Sequence, residues 1–87
     1  MKIIPRKKFK KQYKKLNPKL KKKTKEVIFL FSNNPHHESL HNHSLGGVLK
    51  GKKSISVTAD LRIIFEEFNN YTLVIYLDIG THNRIYK

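Results

Sequence analysis

The chain has 87 residues, 19 of them Lys or Arg against 6 Asp or Glu, for a formal net charge of +13 with histidine neutral. So short a chain is read as one domain, residues 1–87, built round a single core. The absence of cysteine excludes a disulfide framework, a thiolate metal site and a thiol nucleophile.

A charge of this size repels itself, so a polyanion is the expected neutralising partner: nucleic acid first, then an acidic protein, with an anionic membrane surface a distant third. The charge is concentrated, because 13 of the 19 basic residues fall between Lys2 and Lys25. The opening MKIIPRKKFKKQYKK lacks the apolar run of roughly 7–15 residues that a secretory signal needs. The longest apolar run, Val27 to Phe31, is too short to span a bilayer. A cytoplasmic protein is expected.

In chain order, residues 2–4 are a candidate edge strand. Phe9, Tyr13 and Leu16 recur at i, i+4 and i+7, which predicts a helix with one apolar stripe in a lysine-rich cylinder. Asn17-Pro18 supplies an N-cap followed by proline at the first helical position. A second helix is therefore predicted from Pro18 to Phe31, with Leu20, Thr24, Val27, Ile28 and Phe31 on one face and Asn33-Asn34-Pro35 ending it. Residues 32–44, SNNPHHESLHNHS, have no periodicity and read as a histidine-rich loop.

From Leu45 the period changes to two. Ile55 and Val57 alternate with Ser54, Ser56 and Thr58. Leu61, Ile63 and Phe65 alternate with Arg62, Ile64 and Glu66, and Leu73, Ile75, Leu77 and Ile79 alternate with Thr72, Val74, Tyr76 and Asp78. Asn69-Asn70 is expected to make a two-residue hairpin turn. The predicted architecture is α+β: a helical hairpin packed on one face of a three- or four-stranded antiparallel sheet, whose other, polar face is open to a ligand.

RNA can be cut without a metal or other cofactor by a general base that activates the ribose 2′-OH, a cation on the phosphate and a general acid on the leaving 5′-oxygen. Histidine suits either proton transfer and arginine suits the phosphate. His43 precedes the sheet, Asp60 and Arg62 open a strand, and His82 follows the last strand. Each has a plainer reading: Arg62 paired to Glu66 or Asp78, His82 and Asp60 as turn residues, Tyr86 packed on the sheet. His36, His37, His41 and His43 lie close together, but with Glu38 as the only local carboxylate they read as loop polarity rather than as a metal site.

The segments His43-Ser44-Leu45, Lys50-Gly51, Asp60-Leu61-Arg62-Ile63-Ile64-Phe65 and Gly80-Thr81-His82-Asn83-Arg84-Ile85-Tyr86 together resemble the RelE/ParE toxin superfamily, and within it the YafQ branch of mRNA interferases. The resemblance implies a cytoplasmic toxin that enters the ribosomal A site among ribosomal RNA, cleaves the mRNA there, and is held inactive by an acidic cognate antitoxin. It also implies that His43 and His82 do acid–base work, that Asp60 is a catalytic-region carboxylate, and that Tyr86 is the C-terminal aromatic ring. Arg62 would contact phosphate, and Lys50, Lys53 and Ser56 would lie near the substrate. The chain departs from that branch in having Ser56 for a histidine, Leu61 for a tryptophan and Asp78 for an arginine. A carboxylate at 78 would repel phosphate unless it pairs with Arg62 or Arg84.

Two readings from other classes are open at this point. One is a ParE-like toxin that inhibits DNA gyrase by protein contacts. The other is a basic RNA- or ribosome-binding module without activity, whose affinity would fall steeply with salt.

Overall fold

The structure is a computed structural model and describes residues 1–86. The elements are β1 (Lys2–Pro5), α1 (Lys7–Lys14), α2 (Pro18–Asn33), a 3-10 turn at Glu38–Leu40, β2 (His43–Ser44), a second 3-10 turn at Gly47–Leu49, β3 (Lys53–Ser56), β4 (Leu61–Phe68), β5 (Leu73–Thr81) and α3 (His82–Ile85). The fold is α+β, with the α1–α2 hairpin packed on one face of the sheet, as the patterning predicts. The strand count differs. Five strands run in the order β1-β5-β4-β3-β2, and the sheet is mixed because β1 lies parallel to β5 while the other neighbours are antiparallel. Among the described residues no helix is long and apolar enough to cross a membrane.

The helices follow from their apolar spacing. On α1, Phe9 is buried and Tyr13 packs half-buried against the same core; Leu16, predicted on the same helix, lies just past its end in the turn before α2 and packs there half-buried. The lysines occupy the rest of the cylinder, with Lys11 and Lys14 in the last turn, where the helix dipole favours a cation. The Asn17 side chain accepts a hydrogen bond from the Leu20 N–H at 2.9 Å, and Pro18 follows it at the first turn of α2. Thr24 is buried without cost because its hydroxyl donates to the Leu20 carbonyl at 2.7 Å. The helix runs two residues beyond Phe31. Its end is held by Ser32 and Asn33, which both donate back to the Phe29 carbonyl.

β5 does not keep the predicted phase. Val74 and Tyr76 point into the core in its first half and Ile79 in its second, while Leu73, Ile75 and Leu77 are only half-buried. The reason is a bulge: Ile64 pairs with Asp78 and Phe65 with Tyr76, so Leu77 has no partner across the ladder. One extra residue reverses which face every later side chain takes.

The β4–β5 turn also differs from expectation. Strand pairing ends at Phe68 and Leu73, so residues 69–72 form the connection, with Asn69, Asn70 and Tyr71 all at positive φ. Asparagine accepts that backbone readily, whereas a tyrosine must be compensated. Tyr71 gains a hydrogen bond from its N–H to Glu67 Oε2 at 3.0 Å and buries its ring edge-on to Phe31 and His36.

Phe31 is the centre of the core. It is fully buried and its ring lies 5.1 Å from Phe65, 6.0 Å from Tyr71 and 6.2 Å from Tyr76, centroid to centroid. Phe9 closes the same cluster at 5.1 Å from Tyr76. The Tyr76 hydroxyl is buried with no hydrogen-bond partner among the described residues, and burial pushes its pKa well above the ordinary tyrosine value. Two substitutions test this core. Phe31→Ala should cost about 3–5 kcal/mol and lower the urea midpoint by at least about 1 M. Tyr76→Phe removes only an unsatisfied hydroxyl and should leave the midpoint unchanged or raise it, by up to about 1 kcal/mol in stability.

Candidate functional site

Three strands bring three residues abreast on the face of the sheet away from the helices. Ser56 on β3 and Gly80 on β5 both pair with Arg62 on β4. Arg62 is held in place: Nη1 donates to Ser56 Oγ and Nη2 to the Ala59 carbonyl at 3.2 Å. Its Nε is buried and has no partner among the described residues. Ser56 thus has a definite task, fixing the guanidinium.

His43 sits on β2 opposite Ser54. Its Nδ1 is 2.7 Å from the His41 carbonyl and its Nε2 is 3.5 Å from Ser54 Oγ. A carbonyl only accepts, so Nδ1 must carry the proton, and in the neutral ring Nε2 holds the lone pair. That is the tautomer a general base requires.

His82 begins α3. Its N–H donates to the Asp60 carbonyl at 2.9 Å, and Thr81 caps the short helix by accepting from the Arg84 N–H at 3.3 Å. The Tyr86 ring packs edge-on to the His82 ring, 4.5 Å between centroids. His43, Leu45, Arg62, His82 and Tyr86 together line one cleft of about 280 Å³. Four residues singled out from distant parts of the sequence therefore converge.

The remaining candidates do not enter that cleft. Asp60 is exposed and serves it through its main-chain oxygen, not its carboxylate. Lys50 is exposed at the end of the second 3-10 turn and does not line the cleft. Lys53 lies on the opposite face, because it pairs with the inward-pointing Phe65. Its Nζ is 3.5 Å from Glu67 Oε1 and 5.2 Å from the centre of the Tyr71 ring. Burial lowers the Lys53 pKa, but the Tyr71 hydroxyl and the Glu67 carboxylate outweigh it and the net shift is upward. Lys53 belongs to the Ile55 phase of β3, so the structure does not bring it together with the cleft residues.

The device that holds α3 is one of the two pairings expected of Asp78. Asp78 Oδ1 accepts from Arg84 Nη2 at 2.7 Å and from the Ile79 N–H at 2.8 Å, while Oδ2 lies 3.4 Å from Lys8 Nζ. Arg84 Nη2 also reaches the Ile79 carbonyl at 2.7 Å. Of the two pairings open to Asp78, the structure has Arg84. The guanidinium occupies the space over Gly80, where a Cβ would collide with it. Asp78 is thus flanked by two cations, and the repulsion a bare carboxylate would exert on phosphate is largely cancelled.

A family model described as the bacterial toxin of type II toxin–antitoxin systems, YafQ, matches residues 1–87. The chain belongs to the YafQ family of toxins. Among solved structures, YafQ from E. coli strain BL21(DE3) superposes with a TM-score of 0.82 at 22% identity, covering 98% of this chain and 97% of that one. The YafQ-containing DinJ–YafQ complex of E. coli gives a TM-score of 0.79 at 22% identity, with 98% and 96% covered. The YoeB/ParE toxin of Agrobacterium tumefaciens gives 0.77 at 16% identity, with 94% and 99% covered. At these identities the superpositions establish the shared fold. No curated protein sequence matches the chain.

A helix of four residues cannot stand alone, so α3 depends on the Asp78–Arg84 contact and on the bare Gly80. Gly80→Ala, by displacing the guanidinium, should act like Arg84→Ala. Amide hydrogen exchange at His82–Ile85 should quicken by about tenfold or more while core amides hold their rates.

Proposed function

We propose that the chain is a ribosome-dependent endoribonuclease that cuts mRNA in the A site, the active half of a toxin–antitoxin pair. The observation that carries this reading is the meeting of His43, Arg62, His82 and Tyr86 in one cleft. His43 Nε2, which carries the ring's lone pair, takes the proton of the ribose 2′-OH when that hydroxyl displaces the long 3.5 Å contact from Ser54 Oγ. The resulting oxygen attacks the adjacent phosphorus, and Arg62 stabilises the charge that gathers on the phosphate oxygens. His82, protonated, gives its proton to the departing 5′-oxygen. The P–O5′ bond breaks and leaves a 2′,3′-cyclic phosphate and a 5′-hydroxyl.

The other residues support this set. Asp60 holds the start of α3 through its carbonyl, Tyr86 packs His82 and offers a ring for a base, and Lys50 adds to the cationic surround. Ser56 keeps the Arg62 fork aimed. The lysine-coated α1 and α2 gather ribosomal RNA by charge. Single-stranded mRNA suits such a cleft because its bases can be splayed out. The chemistry calls for no cofactor. The ribosome as site of action places the protein in the cytoplasm.

E. coli YafQ is known in complex with DinJ. By extension this chain has its own antitoxin, acidic in order to match a net charge of +13. A gyrase-directed toxin of the ParE kind would act by protein contacts and has no use for two histidines flanking an arginine.

His82→Ala should lower the rate of cleavage by about 10²–10⁴, and Arg62→Ala should act in the same direction. In cells both variants should restore growth on induction and remove codon-phased mRNA ends in primer extension. Full toxicity in both would rule out the nuclease reading. DNA damage without mRNA cuts in the unaltered protein would favour gyrase.

A further inference from the structure

The cleft just described is not the largest hollow on the molecule. A second cavity, of about 720 Å³, lies beside it under the β3–β4 connection, and Arg62 lines both. Its other walls include Lys23 of α2, Ser39 and His41 of the loop before β2, and Val57 and Thr58. The volume falls in the range of about 300–1,000 Å³ typical of sites for small organic groups.

The wall chemistry is that of a nucleotide site. Cations stand at Lys23 and Arg62, hydroxyls at Ser39 and Thr58, and His41 with Val57 offers a ring and an apolar surface for a base. No carboxylate lines it; Glu26, one turn along α2 from Lys23, faces a smaller recess of about 160 Å³ next door. Neither the cleft residues nor the motifs explain why such a space should be kept open here. An arginine shared by two adjoining cavities suits a chain molecule whose charged links recur between bulky units, which is the form of single-stranded RNA.

We propose that this second cavity is a binding subsite for the nucleotide next to the scissile phosphate. Arg62 is then the post between two nucleotides, and Lys23 takes the next phosphate along the strand. Substrate hold comes from α2 and the histidine loop as well as from the sheet end. This subsite rests on the cleft being an RNA site, and the test separates the two.

The experiment titrates the intact protein with 2′-O-methyl oligoribonucleotides, which lack the attacking hydroxyl, and follows backbone and histidine NMR signals and affinity. A dinucleotide should shift His43, His82 and Tyr86. A tetranucleotide should in addition shift Ser39, His41 and Thr58 and bind several-fold more tightly. Lys23→Ala should remove most of that gain and lessen the slope of log affinity against log salt by about 0.7, the value for one phosphate contact on a single strand. Lys2→Ala, an equal loss of charge at an exposed lysine of β1 that lines neither cavity, should leave gain and slope unchanged. If the two lysine variants behave alike, or the tetranucleotide shifts only the cleft signals, the subsite is overturned while the cleft reading stands. If no oligonucleotide moves the cleft signals, both fall together.

Discussion

Both faces of this protein depend on the residue that β5 carries in excess. Val74 and Tyr76 must point at the helices to build the core, and Asp78 and Gly80 must point the other way to serve Arg62 and Arg84. A strict two-residue period would put all four on one side, and would place a carboxylate among Phe9, Phe31 and Tyr76, where burial of an unpaired charge is prohibitive. Leu77, unpaired across β4, shifts the phase once between the two groups. β1 pairs with β5 only from Leu73 to Tyr76, so the core half of the strand is held from both sides and the half beyond the shift by β4. Packing and chemistry are therefore joined through the backbone of a single strand.

The second organising feature is an electrostatic asymmetry. Thirteen bases and no acid lie in the first 25 residues, and neither α1 nor α2 has an acidic residue in its first turn. Among the described residues, Lys8 is the one lysine of this region in an ion pair. Most of the charge on the helices is thus uncompensated within the molecule, and neighbouring lysines lie well inside the screening length of about 10 Å at 0.1 M salt. The hairpin forms because its apolar residues, Phe9 and Tyr13 on one helix, Leu16 in the connection and Thr24, Val27 and Phe31 on the other helix, are strong enough to hold it against that repulsion.

The helices were legible because each rests on local information: an apolar stripe, a cap and a proline. The cleft residues were legible through motif resemblance, and the structure brings His43, Arg62, His82 and Tyr86 together. Of the two sheet edges, β1 was legible as an edge strand at residues 2–4, but its parallel pairing with a strand some seventy positions away was not. β2 is two residues inside a polar loop and carries no pattern of its own. The bulge at Leu77 was hidden for a different reason: Leu73 to Ile79 is apolar at nearly every position, and either phase fits such a run. Asp60 was chosen for its carboxylate, whereas the contact it makes to the cleft is its carbonyl on the His82 N–H. Lys53 misled because a basic residue near a site in sequence can be on the far side of a sheet in space.

The anchoring of Arg62 would decide how firmly an anion is held if, as proposed, one binds there. An arginine on a surface loses about 1.5–2 kcal/mol of rotamer freedom when a ligand immobilises it. Here Ser56 and the Ala59 carbonyl have already taken that freedom, so the loss belongs to folding and not to binding. Any anion that reached the guanidinium would meet a fixed fork. Lysine at the same position would keep the charge but could not keep both anchors and still present a donor pair. Stiffness, more than charge, is what distinguishes this one cation from the thirteen that crowd the other end of the chain.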